Sequence, residues 1–251
     1  MADRIHNAEE SVHLEKQGQT PRLAAQFAQR ARVILKTEGV AGLGKRIIGR
    51  LRRKPLHLCG YIVALRLDRP IRVPPPTIDV EIDEVRVTDE EALEVLAQID
   101  EWKISKTDLL KCLAGGRRCY VAKHKGQIVS SEWYILDGGL DSIFLGRRFQ
   151  FADNEVFVYN AFTIPAFRGK GILPYLQAES ARAIAAHNPH KTRILALINV
   201  ANKASLCAYA KAGFTRVGRV GFVEILGIRF HYLFGRDVLP ATTQRFFFRR
   251  M

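Results

Sequence analysis

From Val80 onward, strand-like and helix-like segments alternate in a fixed order, and no other feature of the chain constrains its fold as strongly. Val80 to Val87 alternates apolar and polar residues, as a half-buried strand does. Thr88 is suited to cap a helix carrying Ala92, Leu93, Val95, Leu96 and Ile99, and a second helix fits Ser105 to Leu113, stopped by Gly115-Gly116. Strands follow at about 118–123 and 127–136, with Lys125-Gly126 as their hairpin turn, and another covers Glu155 to Ile164. The pattern then predicts a helix over 171–186, a strand over 193–199, a helix over 203–212, and two strands at about 214–225 and 228–235 joined at Gly227. Short hairpins force antiparallel neighbours, whereas crossover helices permit parallel ones. The expected class is therefore α/β, a mixed, mostly antiparallel twisted sheet flanked by helices.

What precedes this region differs in composition. Pro70 and the triplet Pro74-Pro75-Pro76 fix φ and remove amide donors, which marks a stiff extended linker. The boundary is placed there: residues 1–76 as a basic, partly helical N-terminal extension with its linker, 77–240 as the principal domain, and 241–251 as a basic-aromatic tail. The net charge is +14, and residues 1–76 hold fifteen basic and six acidic side chains, so most of the excess belongs to the extension. Leu23, Phe27, Ala31, Ile34 and Leu35 share a helical stripe, and Lys45 to Lys54 forms a short basic amphipathic strip. That strip is compatible with packing on the rest of the protein, with peripheral contact at an anionic membrane through residues 45–54, or with nucleic acid. Nucleic acid is the least supported, because no aromatic-rich binding motif accompanies the charge.

Several classes are excluded. The longest apolar run, Leu56 to Leu65, is about half the ~20 residues that a membrane-spanning helix requires. The N-terminus mixes acids, bases and amides where a secretory signal would carry an apolar block. Cys59, Cys112, Cys119 and Cys207 are scattered and form no CxxC pair, which argues against both a disulfide framework and a zinc site. The expectation is a cytoplasmic protein with reduced thiols and no metal.

The segment richest in chemistry is Thr163 to Leu176, TIPAFRGKGILPYL. A strand ends at Pro165, a loop carries Arg168, Gly169, Lys170 and Gly171, and an amphipathic helix follows. Glycines let the main chain approach a bulky ligand, and a helix start offers unpaired N–H groups with partial positive charge, a combination suited to a pyrophosphate. A second stretch, Asn199 to Phe214, reads NVANKASLCAYAKAGF: Asn202 caps a helix, Ser205 lies in its first turn, Tyr209 follows, and Gly213 ends it. A solvated strand-to-helix turn is the plain alternative for the glycine loop taken alone.

Taken together, Arg168-x-x-Gly171 followed by Asn202-x-x-Ser205-x-x-x-Tyr209-x-x-x-Gly213-Phe214 resembles the GCN5-related N-acetyltransferase (GNAT) superfamily over about residues 79–235. The resemblance implies an acetyl-CoA-dependent N-acetyltransferase, with 77–240 as its acyl-CoA domain. Arg168, Gly169, Lys170, Gly171, Ile172 and Leu173 would hold the pyrophosphate of acetyl-CoA. Phe162, Thr163 and Ile164 would pair with its pantetheine arm, and Asn202 and Ser205 would line the other side of the channel. Tyr209 matches the position of a general acid that protonates the departing thiolate. Leu173 departs from the family loop, which usually has a small residue there. The implied acceptor is a primary amine of a small molecule or protein. The alternative is a non-catalytic CoA-binding or surface-binding module that uses the basic extension.

Direct transfer requires a neutral amine, a fixed donor for the oxyanion and a proton for the thiolate. A strand amide near Phe162 or Thr163 would serve as the oxyanion donor, and the Tyr209 phenol as the proton source. No covalent intermediate is needed, so Cys207 reads as channel wall. Glu132, Glu155 and Tyr159 are the candidate general bases, because the resemblance implies that the strands carrying them flank the acceptor cleft, and Glu132 is the favoured one.

Overall fold

The computed structural model describes residue 36 and residues 56–99, 104–142, 147–225 and 228–235. The helical stretches expected before residue 36, the strip at 45–54 and the tail at 241–251 lie outside them. The chain divides into two compact units, residues 1–56 with 224–229 and residues 57–223 with 230–251. The site described below lies wholly within the second. Among the described residues, no helix is long and apolar enough to cross a membrane.

The strands are β1 (Leu56–Arg66), β2 (Glu81–Val85), β3 (Arg118–His124), β4 (Gln127–Ile135), β5 (Gly139–Ser142), β6 (Arg147–Gln150), β7 (Glu155–Thr163), β8 (Arg193–Asn199), β9 (Thr215–Ile225) and β10 (Ile228–Phe234). The helices are α1 (Glu90–Ala97), α2 (Lys106–Ala114), α3 (Ile172–His187) and α4 (Lys203–Lys211). Eight strands form one sheet in the order β10-β9-β1-β8-β7-β4-β3-β2, and β5 and β6 form a separate hairpin. β2, β3, β4 and β7 pair antiparallel in succession, β7 and β8 are parallel, and β8 pairs antiparallel with β1. The mixed, mostly antiparallel sheet with flanking helices is the expected class.

One strand corrects the boundary drawn from composition. Leu56–Arg66, assigned above to the basic extension, lies inside the sheet, running from Gly60 opposite Asn199 to Arg66 opposite Arg193. Its physical reason is burial on both faces. Val63 and Leu65 enter the core beneath α3, and Ile62 and Ala64 enter the core on the opposite side. Such a strand shows a continuous apolar run instead of alternation.

Three apolar clusters hold the unit together. α3 lays Ile172, Leu176, Ala181 and Ile184 on one face, against Val156, Val158 and Ile194. On the other face, α1 and α2 bury Leu93, Leu96 and Leu109 against Val85, Val121 and Trp133, while Phe149 and Phe151 pack with Phe157 and Leu195. β4 is therefore covered on both sides, and every residue from Ile128 to Ile135 is buried.

The hairpin is clipped to the sheet by Lys191, whose side chain is 1% exposed. Its ammonium donates to the Leu136 carbonyl at 2.5 Å, the Asp153 carbonyl at 2.7 Å and Asp137 Oδ1 at 2.7 Å. The charged donor thus satisfies the main chain at both ends of the inserted segment.

Candidate functional site

The ladder between β7 and β8 covers Glu155↔Arg193 to Val158↔Ala196, although β7 continues to Thr163 and β8 to Asn199. Beyond Val158 the parallel strands part. The parting coincides with a bulge in β7: Ser131 faces Phe162 and Trp133 faces Tyr159, three positions on β7 against two on β4. Asn160 sits in that bulge at φ +49°, a conformation few side chains adopt. Extra backbone and a local twist turn the end of β7 away from β8.

After β7, a 3₁₀ turn at Pro165–Phe167 leads into Arg168, Gly169, Lys170 and Gly171. Gly169 and Gly171 have φ of +80° and +78°, which glycine adopts without the clash a β-carbon would introduce. Gly171 is the N-cap of α3 and offers no capping side chain. Among the described residues, the amides of Gly169, Lys170, Gly171, Ile172 and Leu173 donate to no other main-chain group. Five bare N–H groups at the start of a 16-residue helix are an arrangement of the kind that suits an anion. The Arg168 side chain is held beside them by its Nε bond to the Thr163 carbonyl at 3.0 Å, with its guanidinium 6.0 Å from the Phe162 ring.

Across the gap stands α4. The Asn202 side chain accepts from the Ser205 amide at 3.1 Å, a true N-cap. A cavity of about 530 Å³ runs between the two elements. Phe162, Thr163, Arg168, Gly169, Gly171, Ile172, Leu173, Asn202 and Ser205 line it, so nine of the sequence-derived positions meet at one surface. Cys207 belongs to its wall. Ile164 and Lys170 do not line it. The Ile164 amide extends the β4 pairing by donating to the Val129 carbonyl at 2.9 Å, and the Lys170 ammonium lies 5.1 Å from the Phe167 ring centroid. Ala204, Ala208 and Lys211 also line the cavity and were missed, although their spacing on α4 is that of one helical face.

The two residues assigned to catalysis sit elsewhere. Tyr209 is 4% exposed and packs edge-on against Phe214, with ring centroids 4.9 Å apart, behind the cavity wall. Burial, reinforced by the charge of Glu132, raises its phenol far above the ordinary range, and the neighbouring Gln177 amide acts in the opposite direction. The phenol is therefore a neutral donor at physiological pH. Glu132 does not face a cleft. It is fully buried under α3, where Tyr134 donates to its Oε1 at 2.5 Å and Ser180 Oγ lies 2.7 Å from the same oxygen. Because β4 is covered on both faces, a carboxylate in its middle points into the core. Desolvation pushes its pKa up to about 7. Of the other two strand candidates, Tyr159 accepts a hydrogen bond from Arg117 at 3.0 Å and burial raises it to about 12, and Glu155 is buried and accepts from Arg193 Nε at 2.9 Å.

No protein-family signature matches the sequence, and no curated protein is similar to it. Solved structures are. A GCN5-related N-acetyltransferase from Sphaerobacter thermophilus superposes with a TM-score of 0.50 at 13% identity, over 80% of this chain and 59% of that one. The fold is that of the GCN5-related N-acetyltransferases. A tandem GNAT protein from the clavulanic acid biosynthesis pathway gives 0.48 at 16% identity, over 75% and 58%. A GCN5-related N-acetyltransferase from Kribbella flavida gives 0.42 at 13% identity, over 64% and 56%. The chain thus spans less than two thirds of the length of each of these GNAT structures.

Proposed function

We propose that the protein is an acetyl-CoA-dependent N-acetyltransferase that moves an acetyl group directly to a primary amine. The observation that carries this reading is the row of bare amides from Gly169 to Leu173 beside a cavity that runs between the end of β7 and α4. A diphosphate satisfies those amides and the helix dipole together. An extended pantetheine arm matches the stretch of β7 beyond Val158, where the ladder with β8 has ended. Asn202, Ser205 and the small side chains of Ala204 and Ala208 leave room on the opposite wall.

In this mechanism the amine attacks the thioester carbonyl, and a main-chain amide near the β7 bulge stabilises the oxyanion. The C–S bond then breaks, and the thiolate takes up the proton of the Tyr209 phenol, which stands directly behind the wall that Cys207 and Ala208 form. The buried position of Glu132 removes it from contact with the acceptor, so the proton on nitrogen leaves through solvent in the open cavity.

Isothermal titration of the full chain with acetyl-CoA tests the binding step. Saturable binding that is abolished in Gly171→Glu is expected, and absence of binding by the unaltered protein overturns the reading. Release of free CoA with a panel of primary amines tests the chemistry. Tyr209→Phe should slow it by about 100-fold or more, the usual scale for loss of a general acid.

A further inference from the structure

Beneath α3 lies a group of polar side chains that the binding site does not use. Glu132 is 0% exposed and Gln177 is 1% exposed. Only one carboxylate oxygen of Glu132 is bonded. Its Oε2 and both polar atoms of the Gln177 amide are buried without a hydrogen-bond partner. Gln177 stands one turn before Ser180 on α3, and Ser180 bonds the other oxygen of the same carboxylate. Buried polar atoms are almost always satisfied, so three orphans from two neighbouring side chains mark a place for a small polar bridge such as water.

We propose that Glu132, Gln177 and Tyr209 form a buried proton-exchange cluster in which Glu132 returns to the Tyr209 phenol the proton that Tyr209 gives to the leaving thiolate. The Tyr209 O–H bond breaks as the S–H bond forms. The resulting phenolate takes a proton from the Glu132 carboxylic acid through a water held by Gln177. The carboxylate regains a proton from solvent, matching the one released from the acceptor nitrogen. The cycle needs no oxidant and no net proton. Glu132 and Gln177 act through Tyr209 and are positioning residues.

The surroundings favour this exchange. Tyr134 donates to the carboxylate from its own strand, and Tyr209 of α4 packs in the same cluster beneath α3, whereas Cys119 lies on the opposite face of the sheet beside Trp133; the Glu132 charge adds to burial in raising the pKa of all three. Tyr120 stacks edge-on against Tyr134 with centroids 5.7 Å apart, and its own hydroxyl turns away to Glu84 at 3.3 Å. No lysine or arginine among the described residues shifts Glu132, so its proton is not displaced by a fixed cation. Its carboxyl, raised to about 7, holds or releases a proton near neutrality.

The role in thiolate protonation rests on the acetyltransferase reading, but the titration of the cluster does not, so each fails separately. Infrared spectra of the full chain, recorded without substrate across pH 4 to 9, report the C=O stretch of a buried protonated carboxyl. The expected result is a band that disappears as pH rises through neutrality and is lost in Glu132→Gln. Gln177→Leu removes a group that stabilises the carboxylate and should move the midpoint upward. Tyr209→Phe should change the band position. A band that never titrates, one that survives in Glu132→Gln, or one indifferent to both Gln177→Leu and Tyr209→Phe overturns the cluster. These last two variants keep the test decisive if Glu132→Gln does not fold. Failure to release CoA with any amine, despite a titrating band, overturns the transferase reading instead.

Discussion

The Thr77 amide donates to the Lys170 carbonyl at 2.9 Å, tying the residue after the proline triplet to the middle of the glycine turn. The stiff segment therefore braces the loop that carries the bare amides. A β-carbon on Gly171 would lie 3.5 Å from Pro76 Cα, an ordinary contact, so space there is adequate. The cost comes from φ, which is +78°. Gly171→Ala should lose about 1–2 kcal/mol of stability and weaken acetyl-CoA binding, because relief of the strain would turn the bare amides. Urea unfolding and calorimetric titration of the same variant check both effects.

Asn202 stands at the start of α4 and satisfies an N–H group that the helix cannot. Asn202→Ala should cost about 1 kcal/mol in chemical denaturation, whereas Asn202→Asp should be close to neutral. A loss in the alanine variant alone identifies the cap as the cause.

Glu132 makes stability depend on pH in a definite direction. Its folded pKa, about 7, is above the 4.5 usual for a glutamate, so the folded state binds the proton more tightly than the unfolded chain does. The associated stabilisation is complete below about 4.5, declines as pH rises, and is lost above about 7. Its size is on the order of 3 kcal/mol. Glu132→Gln should flatten this slope, and the difference between the two proteins in urea unfolding at pH 5 and pH 8 measures it.

Lys191 is the only donor to the carbonyls of Leu136 and Asp153 that its ammonium reaches, among the contacts of the described residues. Lys191→Met preserves the apolar stem but strands those acceptors. A loss of about 2–3 kcal/mol is expected, the scale of hydrogen bonds to a charged group. Hydrogen exchange should also quicken first at the amides of the β5–β6 hairpin.

Most of the elements were legible because their signals are local. Periodicity marked α1 to α4, Lys125-Gly126 marked the β3–β4 turn, and Asn202 and Gly171 marked two helix starts. The glycine loop and α4 also placed nine cavity residues together. What escaped depends on distant contacts. β1 has no alternation because both its faces are covered, and a basic neighbourhood drew it into the wrong segment. β5 and β6 are four residues each, too short for a period to register. Asn160 occupies a left-handed conformation with no glycine to announce it. Glu132 looked accessible because a lone carboxylate in a strand gives no sign of which layer will cover it.

The place of β1 between β8 and β9 has a practical consequence. A protein shortened to begin at Thr77 would be missing an interior strand, not a dispensable leader. Two long rows of unpaired backbone groups would then be open to solvent and to other molecules, the arrangement that promotes edge-to-edge aggregation. Truncation near Pro55 instead leaves every one of those rows closed.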